Sequence, residues 1–459
     1  MTRWHAEQAW LTGGGLARDV LIEASGDRFT SVVPGADCPP DAIALRGLTL
    51  PGLANAHSHA FHRALRGVAA GGDFWAWRTV MYSVAERLDP DSYYRLARAV
   101  YAEMALAGIS CVGEFHYLHD GSNEFGYRLI EAARDAGLRI TLLDTCYLTA
   151  GPSGEPLTGP QLRFSDASVD EWARRVSDFG EVPAYARLGA AIHSVRAVPF
   201  DAMRVVAGWA ADRAAPLHAH LSEQPAENAA SQAAYGRTPA QVLADAGALG
   251  PRSTMVHATH LTDADIRLLG GSQTTCCFCP TTEADLGDGI GPAAALAAAG
   301  APLSLGSDSH AVIDILTEAR LLEWGQRMAS GRRGVFDADA LTMAATSAGH
   351  ACLGWPDAGE ITPGAHADLV TIAQDTVRTA AAPSPALALR PGLADAAAPG
   401  PAPAPGPADA QLAQTILTAT SADIRNVVIS GREIVRDGRH LLVDDVPGEL
   451  TAAIGAVFG

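Results

Sequence analysis

Lysine is absent from this chain. All 33 basic residues among the 459 are arginine. That excludes Schiff-base chemistry, lysine-anchored pyridoxal phosphate and the P-loop lysine. It also excludes a carbamylated lysine as a bridging metal ligand. A run of about 18 apolar residues is missing too, so no membrane span is expected. The opening "MTRWHAEQAW" lacks the charged-then-apolar pattern of a secretory signal, which points to the cytoplasm. The seven cysteines are odd in number and have no framework spacing, so structural disulfides are not expected. "CCFC" (Cys276, Cys277, Cys279) contains a CxxC with no second pair to complete a zinc ribbon, and reads as small buried strand residues. Positive charge is scarce. With 51 acidic residues the net charge is −18, which argues against nucleic acid or an anionic membrane as a partner. An anionic substrate would have to be captured by local cations against that field.

At 48% hydrophobic, the chain can build one large domain and a smaller one. From about 49 to 363, short apolar runs alternate with helical patterns. Eight strands are expected near 52–57, 108–117, 138–147, 188–194, 216–222, 254–259, 273–278 and 302–308. Eight such units over about 300 residues predict a (β/α)8 barrel of the TIM type. Residues 1–48 and 364–459 read as short strands and turns. The two chain ends are expected to share a small β-sandwich domain. Within the second flank, about 375–412 is Ala/Pro-rich and reads as a flexible insert. No internal repeat is visible.

Histidines carry the chemistry. "NAHSHAFHRA" holds His57, His59 and His62. His57 and His59 are two apart, so on a strand they face one side and can grip one ion together. Reactive side chains of a (β/α)8 barrel collect at the C-terminal ends of the strands. His57 and His59 close strand 1, His218 and His220 lie near the end of strand 5 with Glu223 beyond, His257 is on strand 6, and Asp308 and His310 close strand 8. His57, His59, His220 and Asp308 offer three nitrogens and one oxygen, a set that suits zinc with a position left for water. His218 shares a face with His220 and is read as packing beside it. His116 and His119 are ranked as pocket or surface residues. His5, His350, His366 and His440 lie away from the strand ends and are read as structural.

These residues also resemble a family. "HSHAFHRA", "HLSEQ", "VHATH" and "GSDSH" resemble the amidohydrolase superfamily in its deaminase branch. "FWAWRTVMYSVAERL", "EFHYLH", "IHSVRAV", "TTEADLGDGI" and "RLLEWGQR" are similar to the formimidoylglutamate deiminases within it. The likeness spans almost the whole chain and fails only over the Ala/Pro-rich insert. It implies one divalent metal, most often zinc, on His57, His59, His220 and Asp308. It implies proton handling by Glu223, His257 and Asp308, and substrate binding by His62, Arg78 (expected in the loop after strand 1), Tyr117, His193 and Arg196. His62 departs from the family, whose better-known forms have glutamine there. The implied reaction is hydrolysis of N-formimidoyl-L-glutamate to N-formyl-L-glutamate and ammonia, in histidine degradation. The resemblance also implies a homodimer. The rivals are a deaminase of formimidoyl-aspartate or of a guanine-type heterocycle, and a non-catalytic scaffold, which should have lost the ligands this chain keeps.

Overall fold

The computed structural model describes residues 1–68, 71–381 and 407–459. Its strands run β1 (Thr2–Leu11), β2 (Gly15–Ser25), β3 (Arg28–Val33), β4 (Ile43–Pro51), β5 (Leu53–Ser58), β6 (Ile109–His116), β7 (Arg139–Cys146), β8 (Ala186–Ile192), β9 (Leu217–Leu221), β10 (Ser253–His257), β11 (Thr275–Phe278), β12 (Leu303–Leu305), β13 (Leu369–Ile372), β14 (Ile424–Ile429), β15 (Arg432–Arg436) and β16 (Arg439–His440). Strands β5 to β12 are parallel neighbours in sequence order, with helices between them. This is the expected barrel, and each of the eight expected strands is present. Strands β5 to β7 and β9 to β11 are buried along their whole length, as parallel strands covered on both faces should be.

The remaining strands come from both chain ends, as expected. They hydrogen-bond as one mixed sheet in the order β16-β15-β14-β13-β4-β1-β2-β3. Alternation along β2 sends Val20, Ile22 and Ala24 into a second core with Trp4, Phe29 and Val428. The expected boundary at 48/49 falls inside β4, which pairs with β1 and β13 and leads into barrel strand β5 through Gly52 alone. A Cβ on Gly52 would lie 2.5 Å from Ser110 Oγ and 2.8 Å from Asp368 Cβ, so only glycine fits this junction. A buried ion pair fastens sheet to barrel. Arg139, at the foot of β7, donates to Asp368 with Nη1–Oδ1 2.8 Å, and its Nη2 reaches the other carboxylate oxygen. Burial pushes the Asp368 carboxyl up, and Arg139 outweighs that push, holding it below the usual carboxylate range.

Two features differ from expectation. The chain ends in a helix, Val446–Phe458, where strands and turns were expected. Asp445 caps it by accepting from Gly448 N, and Val446, Leu450, Ala453 and Val457 recur at helical spacing on its buried face. The Ala/Pro-rich segment has ordered edges. A helix covers Pro407–Thr418 and buries Leu412 and Ile416, while residues 382–406 lie outside the described residues. All seven cysteines are free, and all but Cys38 are buried, including the three of "CCFC". Among the described residues no helix is long and apolar enough to cross a membrane.

Candidate active site

Backbone pairing at the barrel seam assembles the first cluster. Ser307 N and Asp308 N both donate to His57 O (3.1 and 3.0 Å), and His59 N donates to Asp308 O (3.2 Å). The strand ends meet this closely because residue 306 is glycine. A Cβ there would sit 2.8–2.9 Å from three atoms of His57. His59 Nδ1 donates to Phe115 O (2.9 Å), and His220 Nδ1 donates to His193 O (2.8 Å). A carbonyl can only accept, so each ring keeps its lone pair on Nε2. Those lone pairs face inward. His57 Nε2 lies 3.2 Å from His220 Nε2, and Asp308 Oδ1 is 3.3 Å from the Nε2 of both His57 and His59. Donors about 2.1 Å from a tetrahedral ion stand about 3.4 Å apart. Three inward imidazole nitrogens and a carboxylate at that spacing, all buried, fit a divalent metal and little else. Asp308 (φ 38°) and His310 (φ 59°) occupy the left-handed region, strain of the kind that concentrates where geometry is overdetermined.

Glu114 braces this turn from behind. Its carboxylate accepts from Ala60 N (2.7 Å) and Ser58 Oγ (2.9 Å), and Ser58 also meets His310 Nε2 (3.0 Å). Sequence reading missed Glu114, which lies inside an apolar strand and is fully buried.

The second cluster adjoins the first. Glu223 Oε1 stands 3.7 Å from His257 Nε2, which lies 3.9 Å from Asp308 Oδ2. On its far side His257 Nδ1 faces Glu283 Oε1 at 3.5 Å. Burial pushes the Glu223 carboxyl up to about 7, with His257 pulling down and Asp308 pushing further up. Burial alone would lower His257, but Glu223, Glu283 and Asp308 outweigh it and favour the imidazolium. Asp288 also joins, with a carboxylate oxygen within 4.8 Å of ligand atoms of Glu223 and His257. Glu283 and Asp288 both lie in "TTEADLGDGI" but were not among the expected site residues. The signal for Asp288 is its setting, "GDG", where Gly287 (φ 73°) and Gly289 (φ 112°) make the sharp turn that presents it.

The pocket above both clusters has aromatic walls, among them Trp77, Tyr82, Tyr147 and Phe164. His62, Arg78, Tyr117, His193 and Arg196 all line it, so the structure brings every expected site residue together. Tyr117 Oη and His62 Nε2 are 2.7 Å apart, and burial drives the His62 pKa to about 3. A neutral imidazole therefore occupies the position, hydrogen-bonded to the Tyr117 hydroxyl. Arg78 sits on a helix, Phe74–Arg87, where a loop was expected. Asp73 caps that helix, accepting from the N–H groups of Trp75 and Ala76. The Arg78 guanidinium lies 4.4 Å from the Trp75 ring centroid and 5.5 Å from that of Tyr82, with no ion pair among the described residues. Arg196 does have an acid beside it, with Nε 3.9 Å from Glu227 Oε2. Glu227 is buried and neither of its oxygens has a hydrogen-bond partner. Burial raises its carboxyl, with Arg196 pulling the other way.

The other histidines stay out of the pocket. His218 Nε2 meets Cys352 O (3.1 Å), and His5, His350 and His440 each meet a backbone carbonyl. His116 and His119 are neither pocket nor surface residues. Both are buried outside the pocket, with His119 3.6 Å from Asp166, because His116 on β6 faces away from the side that Phe115 presents to His57.

Comparison with known proteins agrees with this geometry. The amidohydrolase family profile matches residues 48–434. Formimidoylglutamate deiminase of Pseudomonas aeruginosa is 36% identical, covering 96% of both chains. The 8-oxoguanine deaminase of the same organism is 31% identical over 78% of this chain and 81% of its own. Among solved structures, an amidohydrolase from Brucella melitensis superposes with a TM-score of 0.85 at 31% identity, covering all of both chains. A barrel with a metal-fitting histidine–aspartate quartet at its mouth and a match over most of its length place this chain in the amidohydrolase family, as a metal-dependent hydrolase or deaminase.

Proposed function

We propose that the protein hydrolyses the formimidoyl group of N-formimidoyl-L-glutamate, releasing ammonia and N-formyl-L-glutamate. The observation that carries this reading is the pairing of two arginines at the pocket mouth, Arg78 and Arg196, with a proton-handling pair at its floor, Glu223 and His257. Arginine suits carboxylates through bidentate hydrogen bonds. The substrate carries two carboxylates, one on the carbon that bears the formimidoyl nitrogen and one at the end of the side chain. The similarity to a formimidoylglutamate deiminase supports the same assignment.

His57, His59, His220 and Asp308 would hold a divalent metal, zinc by the donor set. When bound, it would supply Lewis acidity, easing ionisation of the attacking water and offsetting charge at the reacting carbon. Glu223, with its carboxyl near 7, takes a proton from that water and returns one to the leaving nitrogen. A carboxyl balanced near neutrality can do both within one cycle. His257, held as the imidazolium by three carboxylates, donates to the tetrahedral centre from the opposite side. The C–N bond breaks, ammonia leaves, and the formyl oxygen comes from water. Arg78 and Arg196 bind the carboxylates, while the buried Tyr117–His62 pair lines the wall between mouth and floor.

The aromatic walls sustain a second reading, a flat heterocycle stacked in the pocket, and the similarity to an 8-oxoguanine deaminase points the same way. Ammonia release from a panel of formimidoyl-glutamate, formimidoyl-aspartate, guanine and 8-oxoguanine separates the two. The amidine dicarboxylates should turn over and the heterocycles should not. A preference for aspartate over glutamate would move the assignment by one methylene, and turnover of a heterocycle would replace it.

A further inference from the structure

We propose that the base of the barrel carries a binding site for a small organic oxyanion, a carboxylate or a phosphate, at the end opposite the metal-fitting quartet. The site is a cavity of about 360 Å³ between the start of β8, the end of the helix Phe200–Asp212 and Gly354. Arg187, the second residue of β8, and Arg213, which follows the helix, both line it. No acidic residue does. The chain has 51 carboxylate side chains to 33 guanidiniums, so this excess of positive charge is local. Asp178, Glu181 and Asp212 adjoin the lining segments in sequence, yet neither guanidinium pairs with an acid among the described residues.

Both guanidiniums are held in place with donors to spare. Arg187 lies 4.1 Å from the ring centroid of Trp355, which is itself pinned by donating from Nε1 to Thr141 Oγ1 at 3.0 Å. The Arg187 guanidinium makes no hydrogen bond among the described residues, and its Nε is buried without a partner. Such a donor is costly unless an acceptor faces it. Arg213 lies 4.5 Å from the ring centroid of Trp209 and donates from Nη2 to Ser177 Oγ at 3.2 Å. Stacking fixes the plane of each fork and leaves N–H edges open, and a guanidinium edge meets carboxylate or phosphate oxygens two at a time. Leu188, Pro216 and Trp209 add an apolar wall, which suits a hydrocarbon or aromatic body behind the oxyanion. At about 3.3 Å per residue, Arg187 stands about 20 Å from His193 at the other end of β8, so one small molecule cannot fill both this cavity and the substrate pocket. The inference does not rest on the proposed function.

The test is isothermal titration calorimetry of the whole protein with glutarate and, separately, with phenyl phosphate. An anion bound at the base should keep its affinity in Arg196→Met, which alters only the substrate pocket. Its affinity should fall at least about tenfold in Arg187→Met and in Arg213→Met, the scale of one hydrogen bond to a charged group. Arg213 is exposed, so Arg213→Met carries the test if Arg187→Met does not fold. Either ligand binding in this pattern supports the site, and the tighter one names the oxyanion. No binding of either at millimolar concentration would overturn it, as would binding that both base substitutions leave unchanged. Weakening by Arg196→Met alone would overturn it too, by placing the anion in the substrate pocket.

Discussion

Arg196→Met tests substrate recognition, and the neighbouring acid decides how it must be done. A buried charged hydrogen bond to a carboxylate contributes about 1.5–3 kcal/mol. At about 1.4 kcal/mol per tenfold, losing it should lower kcat/KM for formimidoyl-glutamate roughly ten- to hundredfold. Arg196 also lies 3.9 Å from Glu227, which is 2% exposed. Removing the guanidinium leaves that carboxyl with the upward push of burial and no opposing cation, so part of the loss could come from Glu227 itself. The double variant Arg196→Met/Glu227→Gln separates the two. If Arg196 binds substrate, the double variant should be as impaired as the single, and an uncharged N-alkyl formamidine should lose little in either. Ammonia release with both substrates is the assay, and metal content should stay at one equivalent. Recovery of most of the lost kcat/KM in the double variant would show that Arg196 only neutralises Glu227, and the dicarboxylate reading would lose its physical basis.

Glu223→Gln keeps the shape and removes the proton carrier, so turnover should fall by about two to four orders of magnitude with the metal retained; near-normal turnover would move the role elsewhere. Gly306→Ala drives a methyl against the backbone and Cβ of His57, and should strip metal from an otherwise folded protein; full metal content by elemental analysis would refute the seam geometry. Asp368→Asn breaks a buried ion pair, at a cost of about 3–5 kcal/mol in urea unfolding at neutral pH. The folded Asp368 carboxyl lies below its ordinary value, so its contribution is complete above about pH 4 and fades as pH falls further, through the lowered folded pKa. Wild type and variant should therefore converge only in acid, and an equal gap at all pH values would contradict the charged pair.

The barrel was legible because each strand is an apolar run bounded by turn residues, and because HxH, HLSE and SDSH stand at the ends of such runs. The C-terminal helix was not, since "VPG" reads as a turn and hides the helical spacing of Val446, Leu450, Ala453 and Val457. Arg78 was placed in a loop because the Asp73 cap went unread. The partners of the chemical groups were hidden for a different reason. Glu114 holds Ala60 from 54 residues away, Glu227 meets Arg196 across 31, and Asp288 joins Glu223 across 65, and no local pattern encodes such pairings.

Strand β4 has a consequence for synthesis. It pairs on one side with β1, which is made before it, and on the other with β13, where Pro51 faces Leu369. At about 5–20 residues per second, the 318 residues from 51 to 369 take roughly 15–60 s to leave the ribosome. During that time the run "LTLPGLA", which leads directly into the two histidines of the first strand, has one edge without its partner. The barrel can begin to close from β5 onward, but β4 gains its second partner only after about four-fifths of the chain has been made. The nascent protein thus carries an apolar, unpaired edge through most of its translation, a hazard of the kind chaperones exist to shield.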